Sequence, residues 1–360
     1  MQDHIVASFA PGEVYTRHSE GSFLRLNDGR IMFVYSRFTN GQGDDAPSNL
    51  VATYSGDEGE TWTEPQIIIS ADQYSVKNIM SVSMMRMANG DLGIFYIVKH
   101  DSADNIVMLS RSADEGKTFY KHVQCTLDDR PGYYVLNNDR VIRLSTGRLL
   151  MPLTFHRGGY NRSEIGAAQA YFDGRAFACF LYSDDDGDTW QESPDIVFPS
   201  FNGSYSGLQE TGAIEKKNGV VWAYNRTDMM YQYEYFSLDG GLHWTKAQPS
   251  GFTSPCSPMK LARHPETGDL YSVWNPIPNY NGRKLYKAGW GRTPIVWAVS
   301  KDDGINWSEY TVIEGKDENG YCYPAVFFTK DNAMLVGYCA GGPEDGICLA
   351  RLTIKKVYIG

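Results

Sequence analysis

Short apolar runs separated by polar turns recur along the whole chain and predict a protein built from β-strands. Runs rich in β-branched and aromatic residues occur, for example, at 50–54, 180–182 and 295–299, and such runs bounded by turn residues are typical of strands. Several runs contain a short turn of Asn, Asp and Gly, which predicts a β-hairpin. These hairpin units lie at residues 26–34, 87–95, 144–151, 215–222, 264–271 and 328–336.

A second pattern, Ser-x-Asp-x-Gly followed after one residue by a polar residue and an aromatic one, connects these runs. Asp accepts hydrogen bonds from nearby backbone N–H groups and Gly takes a positive φ, so each copy predicts a structural turn between strands. A calcium loop needs alternate acidic residues and a closing Glu, and none of the copies supplies this set. The five copies lie at residues 55–62, 112–119, 183–190, 237–244 and 300–307.

The two patterns together predict one all-β domain, a six-bladed β-propeller over residues 1–360. There are six hairpin units, and successive box serines are separated by 54 to 71 residues. This uneven spacing suits blades of four short strands with loops of different length better than a strict solenoid.

Charge and composition exclude several classes of partner. The net charge is −10 and no cluster of Lys and Arg occurs, which argues against nucleic acid or an anionic membrane as a partner. No apolar stretch approaches the roughly 20 residues of a membrane span. Six cysteines without CxxC spacing make a zinc site unlikely in such a chain, and no metal or organic cofactor is expected. If a leader peptide was removed, the protein belongs in the periplasm or outside a bacterial cell, and otherwise in the cytoplasm.

Inner strands and the loops at one mouth form the site of a propeller, so charged and phenolic residues there are the candidates. Two polar clusters at a blade edge, residues 137–140 and 156–157, are better explained as turn networks. The candidates fall in four segments: Arg17 and Glu20; Arg37, Asp44 and Asp45; Glu210 and Arg226; Arg292, Tyr321 and Tyr323.

The five boxes and this ordered set of residues resemble the sialidase (neuraminidase) superfamily over essentially the full chain. The resemblance implies a retaining exo-glycosidase that removes a terminal acidic sugar from a glycan. Tyr321 would be the nucleophile, Glu210 its base, and Asp44 or Asp45 the acid. The resemblance implies Arg226 and Arg292 as substrate contacts. The further candidate contacts are Arg37, Arg17, Glu20 and Tyr323.

These residue types suit the chemistry of that superfamily. Sialidases use a tyrosine where most glycosidases have a second carboxylate. A neutral phenol approaches an anomeric carbon bearing a carboxylate more easily than an anion does, but its pKa of about 10 requires an adjacent base. Arginines bind the substrate carboxylate through paired hydrogen bonds.

One departure from the superfamily bears on the substrate. Its first arginine lies in a Phe/Tyr-Arg-Ile-Pro stretch, and at the corresponding place this chain has Glu20. A carboxylate about 4 Å from a substrate carboxylate costs roughly 4 kcal/mol at an effective dielectric constant of 20. Either Arg17 or Arg37 neutralises Glu20, or the enzyme acts on a different sugar, uronic or neutral. A glycan-binding propeller without catalysis is the remaining alternative.

Overall fold

The computed structural model describes residues 2–101, 104–160 and 170–359. Within these ranges the chain forms 25 β-strands, a 3₁₀ helix at Ala71–Tyr74 and no α-helix. No helix in the same ranges is long and apolar enough to cross a membrane. The all-β prediction is confirmed.

The strands form six antiparallel groups in chain order, and each group is one blade. Single parallel pairings, of Ser48 with Asn78 and of Tyr133 with Asn105, join blades one to three into one continuous sheet. The first strand, β1 (His4–Phe9), precedes blade one and joins the last blade. Blade one contains β2 (Tyr15–Arg25), β3 (Ile31–Thr39), β4 (Ser48–Ser55) and β5 (Gln66–Ile69). Blade two contains β6 (Asn78–Arg86), β7 (Leu92–Lys99), β8 (Asn105–Ser112) and β9 (Lys121–Gln124). Blade three contains β10 (Tyr133–Val135), β11 (Ile142–Arg143), β12 (Leu149–Tyr160), β13 (Ala170–Ser183) and β14 (Gln191–Glu192).

The second half of the ring repeats this arrangement. Blade four contains β15 (Gln209–Glu215), β16 (Val221–Arg226), β17 (Tyr231–Ser237) and β18 (Gln248–Thr253). Blade five contains β19 (Lys260–Arg263), β20 (Leu270–Trp274), β21 (Ile295–Ser300) and β22 (Thr311–Glu314). Blade six contains β23 (Cys322–Phe328), β24 (Ala333–Cys339) and β25 (Leu352–Tyr358), with β1 as its outer strand.

The hydrophobic core lies between neighbouring blades and closes the ring. Phe33 and Val51 of blade one pack in one buried cluster with Leu335 and Ile354 of blade six. Similar clusters fill the other blade interfaces. Because β1 pairs with β25, backbone hydrogen bonds also join the two ends of the chain.

The five repeated boxes are the structural turns that the sequence predicts. In each copy the serine Oγ accepts a hydrogen bond from the glycine N–H at 2.8–2.9 Å. In each copy the aspartate Oδ1 accepts another from the backbone N–H four residues later, also at 2.8–2.9 Å. The box carboxylates therefore serve the turns and are not available as catalytic groups.

Candidate active site

Four inner strands carry the same backbone irregularity, and it turns one side chain of each towards the propeller axis. Glu20, Ser81, Glu210 and Tyr323 all have left-handed backbone conformations, with φ between 53° and 60°. At each of them the strand pairing shifts register, as in a β-bulge. Left-handed conformations of non-glycine residues cost roughly 1–3 kcal/mol and cluster at functional sites.

Small residues beside the bulges let the inner strands pack closely on the strands behind them. A Cβ atom at Gly21 would lie 2.2 Å from the Phe33 ring, and one at Gly212 would lie 2.4 Å from the Tyr224 ring. Larger residues at these two positions would push the bulge out of place. Small side chains after Glu20 and Glu210 therefore help to hold these carboxyl groups at the axis.

The four bulge residues line one cavity of about 180 Å³ at the axis, together with Asp44 and Arg226. Drug-sized binding pockets span roughly 300–1,000 Å³. The cavity is smaller than these pockets and suits a single sugar ring.

The centre of the cavity is a hydrogen-bonded group of a phenol, a carboxylate and a guanidinium. The Tyr323 hydroxyl donates to Glu210 Oε1 at 2.7 Å. Arg226 Nη1 lies 2.8 Å from the same oxygen and donates to the Tyr323 hydroxyl at 3.2 Å. This places a proton acceptor on the phenol and a cation beside both, which is the arrangement that activates a weak nucleophile.

Tyr323 is a neutral phenol in the free protein. Burial, together with the nearby charge of Glu210, raises the pKa of Tyr323 well above its usual value, although Arg226 and Arg292 oppose this shift. The hydroxyl therefore keeps its proton until it reacts, and Glu210 is in position to receive that proton.

The structure does not bring Tyr321 to Glu210, so the expected contact between these residues is corrected to Tyr323. The Tyr321 hydroxyl accepts a hydrogen bond from the backbone N–H of Lys316 at 3.2 Å. Its ring packs against Tyr338 in the core between blades five and six, and burial raises its pKa to about 12. Tyr321 is a core residue because only Tyr323 adopts the left-handed conformation that points a side chain to the axis.

Arg226 reaches the cavity as predicted, but neighbouring groups already bind much of its guanidinium. Its Nε and Nη2 donate to Gln209 Oε1 at 2.9 and 2.6 Å. Arg226 therefore anchors the site and retains limited capacity for a bidentate contact with a substrate.

Arg292 lies behind Tyr323 and not in the cavity lining of the described residues. Arg292 is 5% exposed. Its guanidinium group lies over the Tyr323 ring, and its Nη1 donates a hydrogen bond to Cys322 Sγ at 3.2 Å. Burial raises the pKa of the Cys322 thiol, but hydrogen bonds from Cys339 and Cys348 and the charge of Arg292 bring it well below its usual value. The Cys322 sulfur therefore accepts a hydrogen bond beside the buried charge of Arg292.

Arg17 is buried beneath the two blade-one carboxyl groups of the site. Its guanidinium is 1% exposed, lies 2.6 Å from Asp44 Oδ1 and 3.5 Å from Glu20 Oε2, and stacks over Phe38. The predicted partnership of Arg17 with Glu20 is present in the structure. Arg37 is elsewhere: it stacks on Tyr15 and donates to the Pro65 carbonyl, so it does not approach the cavity.

Glu20 remains difficult to ionise despite Arg17. Burial raises the pKa of Glu20 to about 8; Arg17 opposes this shift, whereas Asp44 and Glu210 reinforce it. Its Oε2 is buried and accepts no hydrogen bond from the described residues. Near neutral pH Glu20 thus presents an acid group that can donate as well as accept a hydrogen bond.

Of the two candidate acids, Asp44 lines the cavity and Asp45 lies outside it. The Asp44 side chain is 60% exposed, so a substrate could reach it. The protein around the cavity mouth displaces part of the water near the carboxyl group, which opposes ionisation, but the charge and hydrogen bond of Arg17 outweigh this and lower the pKa of Asp44. Asp44 must therefore take up a proton before it can act as an acid.

Several cavity residues escaped the sequence analysis. Ser81 is the blade-two counterpart of Glu20, because both are bulge residues of an inner strand. The signal in the sequence that could have indicated Ser81 is the start of the second inner strand, which lies just before it. His156 and Asn137 also line the cavity, although the sequence favours turn networks for their segments. That interpretation suits Asp139, which pairs with Lys260 at 2.8 Å.

No group of three or more His, Cys, Asp and Glu side chains in the described ranges is arranged to hold a metal ion. All six cysteines are free thiols. The lining of the axial cavity includes a phenol, carboxyl groups and a guanidinium group.

The closed ring and its axial cavity define the class of protein, a six-bladed β-propeller with a polar site at the axis. The family described as a BNR repeat-like domain matches residues 29–336, and the chain belongs to this family. A comparison with curated proteins found no match.

Solved structures show the same fold over nearly the whole chain at low sequence identity. A protein of unknown function from Dyadobacter fermentans is 18% identical, with a TM-score of 0.70 and 99% of each chain covered. The Hadza microbial sialidase Hz136 is 16% identical, with a TM-score of 0.75, and the match covers 99% of this chain and 68% of that one. The intramolecular trans-sialidase from Ruminococcus gnavus is 14% identical, with a TM-score of 0.70 and coverages of 98% and 96%. These similarities show the fold and leave the activity open.

Proposed function

We propose that this chain, as one domain over residues 1–360, is a sialidase-like retaining exo-glycosidase that removes a terminal sialic acid or a related acidic sugar from glycans. The observation that carries the proposal is the 2.7 Å hydrogen bond from the Tyr323 hydroxyl to Glu210 inside an axial cavity. A phenol next to a buried carboxylate and Arg226 is the group that a tyrosine-based glycosidase needs.

The first step forms a bond between Tyr323 Oη and the anomeric carbon of the sugar. The phenol proton passes to Glu210, and the bond from the anomeric carbon to the glycosidic oxygen breaks. Asp44, in its protonated form, supplies the proton that the leaving oxygen takes. Arg226 lies beside both reacting groups of the protein and stabilises negative charge that develops on them.

The second step releases the sugar and restores the protein. Water attacks the anomeric carbon and gives a proton to Asp44, while the bond from that carbon to Tyr323 Oη breaks. The phenolate takes its proton back from Glu210. Two displacements at one carbon retain the anomeric configuration, and the small cavity favours removal of one terminal sugar.

A second candidate is the same reaction on a different sugar, either uronic or neutral. Glu20 lines the cavity where a first arginine would otherwise bind a carboxylate, and Arg292 lies behind Tyr323. Both placements reduce the number of cations that face the substrate. The Glu20 carboxyl group instead suits a sugar hydroxyl as its partner.

Incubation with nitrophenyl glycosides of sialic acid, glucuronic acid and a neutral hexose tests the proposal. We expect release of nitrophenol from the sialoside, with the α-anomer as the first product in the NMR spectrum. Release of nitrophenol from the uronide or the hexoside alone would contradict a sialidase activity and favour the second candidate. Binding of sugars without release of any product would favour a glycan-binding propeller.

The pair Asp44→Asn and Asp45→Asn identifies the acid. We expect Asp44→Asn to slow cleavage of glycosides with poor leaving groups by about 10²–10⁴-fold, the usual contribution of a positioned proton donor. Nitrophenyl glycosides should be affected much less, because nitrophenolate leaves without protonation. Asp45→Asn is the matched control and should retain full activity, and the reverse pattern would assign the acid to Asp45. Steady-state rates on both substrate types are the measurement.

A further inference from the structure

A second, larger cavity lies directly beside the axial one, at the rim of blades one to three. Its volume is about 640 Å³. Asp44, Lys99, Tyr133 and Phe172 line both cavities, so these four side chains form the boundary between them. We call the larger cavity the rim groove.

The position of Asp44 on this boundary relates the rim groove to the proposed reaction. A general acid must reach the oxygen between the sugar that is removed and the group that leaves. With the sugar ring next to Tyr323 on one side of Asp44, the leaving group extends to the other side. This step rests on the proposed function, and it places the leaving group in the rim groove.

Aromatic side chains give the rim groove a surface that suits a sugar ring. Phe172 is 50% exposed, although its ring stacks on His156 at 4.7 Å and meets the Tyr133 ring edge-on at 5.1 Å. These contacts hold the exposed ring in one orientation. Rigid aromatic faces combined with a few polar groups are typical of sites that bind small ligands.

The charges around the rim groove balance, which favours a neutral ligand. Asp44 is paired with Arg17. The remaining charged residues of the lining are Asp45 and Asp101, and Lys77 and Lys99. Lys99 Nζ donates to the Asp44 carbonyl at 2.8 Å, which fixes this ammonium group at the boundary.

We propose that the rim groove binds the leaving-group part of the substrate, a neutral oligosaccharide that stacks on Phe172. The groove has more than three times the volume of the axial cavity, so it accommodates more than one sugar ring. The substrate is therefore a glycan whose terminal sugar is followed by uncharged sugars.

Comparison of two substrates in Phe172→Ala tests this assignment. We expect kcat/KM for an oligosaccharide substrate to fall by about tenfold more than kcat/KM for the glycosyl fluoride of the same terminal sugar, because Phe172 borders the axial cavity as well. Fluoride occupies almost none of the groove and leaves without an acid. Phe172→Trp should restore the oligosaccharide rate. An equal loss with both substrates, or no loss with either, would overturn the assignment.

A binding measurement separates failure of this inference from failure of the proposed function. Lactose, cellobiose and mannobiose serve as neutral probes in saturation-transfer NMR with the intact protein. We expect at least one of them to bind the wild type and to lose its signal in Phe172→Ala. Tyr310→Ala removes a ring that is 50% exposed beside Trp274 of blade five and should bind as the wild type does. If no probe binds the wild type, or if binding survives in Phe172→Ala, the inference is wrong even when the protein is an active glycosidase.

Discussion

Replacing Tyr323 with Phe is expected to lower kcat/KM by at least about 10³-fold on any glycoside that the protein cleaves. The change removes the attacking oxygen and the proton that Glu210 receives, and loss of one positioned proton-transfer group alone costs about 10²–10⁴-fold. The Phe ring keeps the packing of the bulge, so the fold should persist. Initial rates, with the melting temperature as a check of folding, are the measurement.

Tyr321→Phe is the matched control, two residues away on the same segment. It removes a hydroxyl that accepts one hydrogen bond from the Lys316 backbone, so we expect a loss of stability of about 1 kcal/mol and unchanged kcat. If Tyr321→Phe abolished activity while Tyr323→Phe retained it, the assignment of the nucleophile to Tyr323 would fail.

Glu20 is expected to impose a pH limit on the binding of acidic sugars. Because burial raises its pKa to about 8, Glu20 is neutral at lower pH and becomes an anion above it. A carboxylate about 4 Å from a bound anion costs roughly 4 kcal/mol at an effective dielectric constant of 20, a factor of about 10³. For an acidic substrate, kcat/KM should therefore fall as pH rises through about 8, and in Glu20→Gln this fall should be absent.

Folding stability provides a second readout of Glu20 that does not depend on the substrate. The unfolded chain loses the Glu20 proton near pH 4.5 and the folded protein loses it near pH 8, so this group lowers stability as pH rises through that window. Glu20→Gln should consequently raise the melting temperature at pH 9 and leave it nearly unchanged at pH 4. A difference that is the same at both values would show that Glu20 ionises normally in the folded protein.

The sequence was sufficient to predict the architecture because the relevant signals are local. Each box contains the serine, aspartate and glycine that close its own turn within five residues. The six hairpin units likewise contain the residues that form their own turns. Hydrogen bonds of this short range depend little on the rest of the chain. The order of Glu210 and Arg226 on adjacent strands, which the structure places together in the cavity, is likewise readable from the chain.

The composition of the candidate site depended on tertiary structure. Tyr321 and Tyr323 are two residues apart and would face the same side of a regular strand, so only the left-handed conformation at Tyr323 distinguishes them. Asp44 and Asp45 are adjacent, and the distinction between them depends on Arg17, 27 residues earlier along the chain. Tyr323 meets Glu210 across 113 residues, a contact that exists only once the ring of blades has closed.

By itself, then, the sequence determined the repeated turns, the number of blades and the residue types available for catalysis, since these follow from short-range hydrogen bonding and strand periodicity. Tertiary structure decided which of those residues meet, because burial sets the proton affinity of Glu20, and the strand bulges aim Glu210 and Tyr323 at one point on the axis. Arg37 and Arg292 pack outside the cavity lining, and no pattern along the chain could indicate this placement.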